Sequence, residues 1–284
     1  MFANVRPPHS YSLTTQGNVS LLLKDDYREP LLQQGIADIG AFLKRNEPTS
    51  RYVMGRTAHP SILFGNSPGI VVRRYTHGGL FGFLLRDLYI RGSRSFSELA
   101  LTEEIRSSGI GTVQPIGAIH QFVIWPLYRA FLLTTEVTDA MDLSTYLAKA
   151  ALRRSSEALA SKRRILRASG KLLRQFHGTG FYHRDLQLKN ILVSGGQPLL
   201  IDFDRSYRKQ NLSSKERLDN LLRLNRSADK WGRKGLRISR TDRWRFFLAY
   251  AADDVSLREA LRKAMRAYRM HIFVHRIVWA LRGE

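Results

Sequence analysis

The sequence contains no cysteine among its 284 residues. The chain can therefore form no disulfide and offers no thiolate ligand to a metal, and its composition suits a reducing cytoplasm. It also lacks a run of about 18 apolar residues, so we predict no transmembrane helix. The longest apolar segment, Leu80–Ile90, is too short to span a bilayer and contains Arg86 and Asp87. The opening MFANVRPPHSYSLTTQ has no apolar core of a secretory signal, so we expect a soluble or peripheral protein.

Acidic residues are scarce relative to basic ones. The 46 lysines and arginines exceed the 24 aspartates and glutamates, which gives a net charge of +22. This excess fits a nucleic acid, an anionic membrane or a phosphorylated substrate equally well, and it also fits a basic surface that is merely well solvated. Hydrophobic residues make up 43% of the chain, which allows a buried core and excludes disorder over most of the sequence.

The character of the sequence changes twice along the chain. Residues 1–50 are interpreted as a polar leader followed by one helix, residues 51–139 are rich in short strands and turns, and residues 140–284 are mostly helical and basic. The first helix is indicated by apolar residues at helical spacing: Leu32, Ile36, Ile39, Phe42 and Leu43. A small sheet lobe joined to a larger helical lobe is an α+β arrangement, and a cleft between lobes is a common ligand site.

Short apolar runs predict the individual strands. Ser61–Phe64 and Ile70–Val72, separated by glycine and proline, are typical of a hairpin. A helix is predicted around Phe96–Arg106, ending at Ser108-Gly109. The other predicted strands are Val113–Ile119, Phe122–Leu127, Phe131–Thr135, ILV at 191–193 and LLI at 199–201.

The stretch FYHRDLQLKNILV, residues 181–193, carries the strongest chemical signal. In phosphoryl transfer an aspartate such as Asp185 can take the proton of an attacking hydroxyl, and an asparagine five residues later, here Asn190, can hold Mg²⁺. A second motif, IDFD, places Asp202 at the end of an apolar strand seventeen residues after Asp185. Carboxylate and amide oxygens are the ligands that Mg²⁺ prefers. The two motifs together indicate phosphoryl transfer, whereas either alone is also compatible with a polar surface turn.

A kinase also needs a cation for the nucleotide phosphates and an acid to hold that cation. The strand IVVRRY offers Arg73 or Arg74, and the helix SFSELALTEEI offers Glu98, with Glu103 and Glu104 as rivals. The usual cation at this strand position is lysine, and arginine is a stiffer planar donor for phosphate oxygens.

Three further features have weaker interpretations. The turn Gly55–Thr57 could cover phosphates with its backbone, and an ordinary hairpin turn explains it equally well. His177 and His183 lack a third ligand at zinc spacing, so a structural role is favoured over a metal site. The C-terminal FVHRIVWALR is typical of a core helix, although its arginines beside Trp279 would also suit a lipid headgroup layer.

HGTGFYHRDLQLKNILV followed by LLIDFDR resembles the catalytic loop and metal-binding segment of the protein-kinase-like superfamily. IDFDR in place of the commoner DFG, RRYTHGGLFG after the third strand, and NLLRLNRSADK resemble the lipopolysaccharide kinase family, and within it the 3-deoxy-D-manno-octulosonic acid (Kdo) kinases. The resemblance extends over roughly residues 51–235. It implies a bilobal protein-kinase-like fold with a small antiparallel-sheet N-lobe and a larger helical C-lobe.

The resemblance also implies roles for single residues. Asp185 would be the catalytic base, Asn190 and Asp202 would bind Mg²⁺, and Arg73 would contact the phosphates of ATP with Glu98 as its partner. Arg73 is preferred to Arg74 because it resembles the family's arginine before a Gly-Gly turn. The turn at Gly55 would lie on the nucleotide side.

The acceptor implied by the resemblance is Kdo–lipid A or a related lipopolysaccharide-core glycolipid, at the cytoplasmic face of the bacterial inner membrane. An anionic membrane surface would attract a peripheral, basic enzyme, and no nucleic acid is expected. No A-P-E element follows Asp202, which argues against a protein kinase. Two alternatives stay open: a heptose kinase of the lipopolysaccharide core, and a basic kinase-like binding module that has lost catalysis.

Overall fold

A computed structural model describes most of the chain. The described residues are 6–47, 50–54, 58–64, 67–76, 87–90, 92–153, 155–252 and 254–266. They form two compact units, one made of residues 1–140 with 200–207 and the other of 141–199 with 208–284. The sequence-based division at residues 50 and 139 stays a prediction.

The first unit is built on an antiparallel sheet with strand order β1-β2-β7-β8-β5-β4-β3, in which β6 pairs with β8. The strands are β1 (Tyr11–Gln16), β2 (Val19–Lys24), β3 (Arg51–Met54), β4 (Ala58–Phe64), β5 (Ser67–Arg74), β6 (Tyr89–Ile90), β7 (Pro115–Ile124) and β8 (Leu127–Thr135). Three helices belong to the same unit: α1 (Asp25–Gln33), α2 (Ile39–Asn46) and α3 (Arg94–Ser107).

Helices cover both faces of this sheet. Leu21 and Leu23 of β2 pack in one core with Phe42 of α2, and Leu22 packs in a second core with Leu99 of α3. Because successive strand residues face opposite sides, a strand covered on both faces is apolar throughout, which explains the sequence VSLLLK of β2. Complete burial of such a leucine stabilises the fold by about 1.5–3 kcal/mol.

The N-terminal region differs from the sequence prediction. The segment described as a polar leader contains the β1–β2 hairpin, and β2 pairs with β7 in the main sheet. The single predicted helix is divided into α1 and α2. Gly35, with φ +75°, lies in the left-handed region between them, and Asp38 caps α2 by accepting a hydrogen bond from the backbone N–H of Ala41 at 3.0 Å.

Another difference concerns residues 113–135, for which the sequence predicts three strands and the structure has two, β7 and β8. The polar residues His120 and Gln121 separate two apolar runs in the sequence. The strand continues through them because His120 is buried and its ring stacks on Tyr128, with 3.9 Å between centroids.

The second unit is mainly helical. Its elements are β9 (Met141–Asp142), α4 (Leu143–Arg153), α5 (Ser156–Gly178), β10 (Phe181–Tyr182), a 3₁₀ turn (Leu188–Asn190), β11 (Ile191–Ser194), β12 (Gln197–Leu200), β13 (Tyr207–Arg208), α6 (Ser214–Arg233) and α7 (Arg240–Ala251). Strand β13 crosses the boundary between the units. Residues 255–266 are also helical. The predicted strands at 191–193 and 199–201 correspond to β11 and β12, which form a small sheet in the order β12-β11-β9.

Helices α5 and α7 form the centre of the second unit. They approach closely at Gly170, where an added Cβ would collide with the backbone carbonyl of Phe246. Ser239 caps α7 and Ser213 caps α6, each with a capping box that satisfies backbone N–H groups. Within the ranges described above, no helix has the length and apolar character needed to cross a bilayer.

Candidate active site

The first group of site residues surrounds the guanidinium of Arg73 near the end of β5. Arg73 Nη1 donates to Asp202 Oδ1 at 2.6 Å, and Nη2 forms an ion pair with Glu98 Oε2 of α3. The side chain of Glu98 is 2% exposed and that of Arg73 is 21% exposed, whereas that of Asp202 is 38% exposed. One arginine therefore links a buried carboxylate to one that solvent can reach.

Glu98 is held by three donors. Besides Arg73, the hydroxyl of Tyr75 donates to Oε2 and the backbone N–H of Phe203 donates to Oε1 at 3.0 Å. Burial raises the pKa of Glu98 to about 7, although the positive charge of Arg73 opposes this shift. Burial alone would lower the pKa of Arg73, but the carboxylates of Glu98 and Asp202, with Tyr75, outweigh it, so the pKa is raised and the guanidinium stays charged.

The neighbouring candidates lie elsewhere in the first unit. Arg74 forms an ion pair with Asp87, which also pairs with Arg129 Nε at 2.9 Å. Arg74 points away from Glu98 because successive strand residues face opposite sides. Glu103 pairs with Arg106 at 2.9 Å on its own helix. The structure therefore brings Arg73, Glu98 and Asp202 together and leaves Arg74 and Glu103 out of that group.

The backbone at Asp202 is unusual. Its φ of +66° lies in the left-handed region, which aspartate and asparagine adopt more readily than most other residues. The next residue, Phe203, is 1% exposed, so the chain turns sharply between an accessible carboxylate and a buried ring. Strain of this kind concentrates at functional sites, and here it accompanies the contact between Asp202 and Arg73.

The second group of site residues is the loop between β10 and the 3₁₀ turn, in the second unit. The Asp185 carboxylate accepts a hydrogen bond from Gln187 Nε2 at 2.6 Å and lies 3.7 Å from Arg223 Nη1. Asn190 Nδ2 donates to the backbone carbonyl of Asp185 at 2.8 Å, which closes the loop. The side chain of Asp185 is 48% exposed, so its carboxylate is accessible and oriented.

A buried network fixes this loop from beneath. Asn220 accepts from the His183 backbone N–H at 3.1 Å and donates to the His183 carbonyl at 3.0 Å. His177 lies 3.2 Å from Asn220 Oδ1 and 2.7 Å from the hydroxyl of Tyr250. Burial lowers the pKa of His177 to about 4, so the ring is neutral. Nε2–H then donates to Asn220 and the Tyr250 hydroxyl donates to Nδ1. Both ring nitrogens are used in packing, which supports a structural role for His177.

The residues proposed as metal ligands have suitable chemistry. The amide nitrogen of Asn190 is engaged by Asp185, which leaves its oxygen Oδ1 as the atom to face a cation. Asp202 offers an accessible carboxylate of which Oδ1 contacts Arg73. Among the described residues no three histidine, aspartate or glutamate side chains cluster for a metal. Magnesium in kinases needs only one or two protein oxygens because phosphates and waters complete its shell, so each of these two residues has the chemistry of a magnesium ligand within its own unit. The sequence candidate Gly55 and the stretch FVHRIVWALR lie outside the described residues.

Fold and site define a class. A strand arginine held by a helix glutamate, an aspartate after a later strand, and an oriented aspartate five residues before an asparagine are the parts of a phosphotransferase with a kinase-like fold. The chain belongs to the lipopolysaccharide kinase (Kdo/WaaP) family, whose model matches residues 55–250.

Individual relatives agree with this family. The chain is 30% identical over 217 residues to a 3-deoxy-D-manno-octulosonic acid kinase of Pasteurella multocida, covering 72% of this chain and 85% of the relative. It is 34% identical over 164 residues to the kinase of the same name from Vibrio vulnificus, covering 56% of this chain and 64% of the relative. Among solved structures, WaaP in complex with acyl carrier protein has a TM-score of 0.54 at 16% identity, covering 87% of this chain and 99% of that one.

Sequence reasoning missed several residues that shape the site. Tyr75 directly follows the two arginines and reads as an ordinary strand aromatic, although its hydroxyl contacts Glu98. Arg94 and Asp204 form an ion pair across 110 positions. Asn220 reaches His183 across 37 positions. Of these residues, Asp204 lies in a motif that the sequence singled out, IDFDR.

Proposed function

We propose that this protein transfers the γ-phosphate of ATP to a hydroxyl of Kdo in the inner core of lipopolysaccharide. The observation that carries the proposal is the oriented carboxylate of Asp185, found in a chain whose curated relatives are named Kdo kinases. The Arg73, Glu98 and Asp202 cluster supports it from the nucleotide side.

Asp185 is the proton acceptor in this proposal. The acceptor hydroxyl oxygen bonds to the γ-phosphorus, the bond from that phosphorus to the β,γ-bridging oxygen breaks, and ADP leaves with the electron pair. The hydroxyl proton passes to Asp185 Oδ1 or Oδ2. Gln187 at 2.6 Å and Arg223 at 3.7 Å restrict the orientation of the carboxylate.

Arg73 neutralises charge on the phosphates. Glu98 and Asp202 fix its guanidinium, so the cation is placed before the nucleotide binds and little reorganisation is needed. Mg²⁺, when held by Asn190 and Asp202, would supply further positive charge for the phosphate oxygens. The tight contact between Arg73 and Asp202 also limits how the Asp202 carboxylate can turn.

We further propose that the enzyme works as a peripheral protein at the cytoplasmic face of the inner membrane. A groove of about 550 Å³ in the second unit supports contact with an anionic lipid surface. Its charged lining is Lys162, Arg163, Arg237 and Arg245 against one carboxylate, Asp242, and its apolar lining is Leu159, Leu236 and Ile238. Lys162 and Arg245 both contact Asp242, at 2.6 and 3.3 Å. Arg163 and Arg237 form no ion pair with a described residue, which leaves two cations for phosphate groups.

The function is tested by offering purified protein, ATP and Mg²⁺ three acceptors: Kdo–lipid A, heptosylated core and a generic protein substrate. We expect phosphate incorporation into Kdo–lipid A and, at most weakly, into the other two. Preference for the heptosylated core would make the protein a heptose kinase. Transfer to protein alone would overturn the proposal, and absence of transfer and of Mg·ATP binding would favour a binding module.

A further inference from the structure

Arg94 and Asp204 form a two-point ion pair within the first unit. Arg94 Nε donates to Asp204 Oδ1 at 3.0 Å, and Nη2 contacts Oδ2 of the same carboxylate. The two side chains are 22% and 24% exposed, so water screens the pair less than it screens a surface pair. Such parallel contacts between guanidinium and carboxylate fix orientation as well as distance.

The position of Arg94 is itself constrained. It is the first residue of α3, directly after the cap residue Ser93. Its guanidinium lies 4.7 Å from the ring centroid of Tyr89 and 5.9 Å from that of Tyr75. Two aromatic rings therefore hold the cation that holds Asp204, and one of them, Tyr75, also donates to Glu98.

A second contact follows one helical turn later. Glu98, four residues after Arg94 and hence on the same face of α3, accepts the backbone N–H of Phe203 at 3.0 Å. The segment from Asp202 to Asp204 is thus attached to α3 at two adjacent residues. Asp202, in a left-handed conformation, immediately precedes the two attached residues, Phe203 and Asp204. Their attachment to α3 therefore determines where the Asp202 carboxylate contacts Arg73.

We propose that Arg94 and Asp204 are positioning residues that hold α3 and the Asp202 segment in the arrangement that binds the nucleotide. The inference rests on the proposed phosphotransfer, since it assigns the pair to the nucleotide side of that reaction. Neither residue contacts substrate in this proposal. The pair acts through Glu98 and Asp202, the residues that contact Arg73.

The test uses full-length protein with Asp204→Asn, Arg94→Gln and the double variant, and Arg94→Lys as the conservative change. Mg·ATP affinity is measured by calorimetry without acceptor, and kcat, acceptor KM and the Mg²⁺ requirement are measured with Kdo–lipid A. Loss of groups that orient ligands typically costs about 10–100-fold in affinity or activity, so we expect each single variant to weaken Mg·ATP binding and raise the Mg²⁺ requirement about tenfold. Acceptor KM should stay unchanged, and the double variant should be no worse than either single one.

Arg106→Gln is the matched control, because it breaks the ion pair between a partly exposed arginine and Glu103 on the same helix. This control should leave the Mg·ATP affinity, kcat, the acceptor KM and the Mg²⁺ requirement unchanged. The inference is wrong if Asp204→Asn binds Mg·ATP as wild type does, or if the variants lose only thermal stability while the Mg²⁺ requirement of the folded fraction is constant. A wild-type protein that binds Mg·ATP but does not phosphorylate Kdo–lipid A would refute the acceptor assignment and leave the calorimetric test of the pair intact.

Discussion

Arg73 Nη1 lies 2.6 Å from Asp202 Oδ1, and the two residues are 129 positions apart in the chain. The same guanidinium neutralises Glu98, whose side chain is almost completely buried. Removing the cation would leave that carboxylate without its charged partner, which makes Arg73 a structural as well as a chemical residue. Two adjacent arginines in one strand can therefore be separated by experiment.

Arg73→Lys should fold, because it keeps a positive charge for Glu98, but one ammonium group cannot replace a guanidinium that contacts two carboxylates. We expect kcat/KM for ATP to fall about 10–100-fold. Arg74→Lys should be close to wild type, since Arg74 is 50% exposed and contacts Asp87 instead. Steady-state kinetics at varied ATP decides the matter. A defect in Arg74→Lys together with a normal Arg73→Lys would reverse the assignment.

Asp185→Asn should retain Mg·ATP binding and the fold while kcat falls by about 10²–10⁴-fold, because an amide cannot accept the hydroxyl proton. Asp219→Asn makes the same chemical change at an exposed position of α6 and serves as the control. Single-turnover phosphate transfer gives the chemical rate directly. A rate for Asp185→Asn within a few-fold of wild type would exclude Asp185 as the base.

The groove in the second unit predicts a specific loss of membrane affinity. Replacing Arg163 and Arg237 together by glutamine should weaken binding to phosphatidylglycerol vesicles by about 2 kcal/mol, near thirtyfold, because each basic residue at an anionic surface contributes about 1 kcal/mol. Sedimentation with vesicles measures the binding affinity. Phosphatidylcholine vesicles should bind neither the wild type nor the double variant.

Lys215→Gln with Lys230→Gln removes the same charge from α6 outside the groove and provides the comparison. Equal losses in the two double variants would show that total charge, not the groove, governs binding.

His177 predicts a pH dependence of stability. The ordinary pKa of a histidine is 6.5, and burial lowers the pKa of His177 to about 4 in the folded protein. Between pH 6.5 and pH 4 this histidine is therefore protonated in the unfolded chain and neutral in the folded one. The contribution of His177 to the free energy of unfolding is therefore complete above pH 6.5. It is lost as the pH falls towards 4, by up to about 1.4 kcal/mol for each pH unit.

His177→Gln can preserve both hydrogen bonds without titrating. Denaturant unfolding at pH 7.5 and 5.5 should show a loss of stability on acidification that is smaller in the variant by about 1 kcal/mol. Burial also lowers the pKa of His59 and His120, and both residues are unchanged in this comparison. The same pH dependence in wild type and variant would mean that His177 is not the group responsible.

Local chemistry explains which parts of the site the sequence predicted. The spacing of Asp185 and Asn190 is set within one loop, and Asp202 follows shortly after the next apolar strand in the sequence, so their pattern can be recognised without knowledge of the fold. The pairing of Arg94 with Asp204 cannot be predicted from the sequence, because any of the 46 basic residues could equally be the partner of Asp204. The role of Asn220 could not be predicted for a similar reason. A buried amide within a helix has no sequence signature, and its contact with His183 becomes evident only in the folded structure.

The fold shows the same limit. The sequence predicts the β4–β5 hairpin and α3 because each has its own turn or cap. The β1–β2 hairpin was missed because its support comes from β7, where Leu21 lies opposite Ile119 and Leu23 opposite Gly117. A short strand with a polar partner carries little signal when the residues that bury it are about a hundred positions away in the chain.

The attachment of β2 to β7 has a practical consequence for any shortened form of the enzyme. The family match begins at residue 55, and a chain trimmed to that point would lose β1, β2, α1, α2 and β3 together. The edge of β7 would then present unpaired backbone groups, and Ile119 and Phe131 would lose the cover of Leu21 and Phe42. Such an edge beside an apolar face is a template for intermolecular strand pairing. Aggregation of the trimmed protein would therefore report a lost surface partner rather than a defect in catalysis.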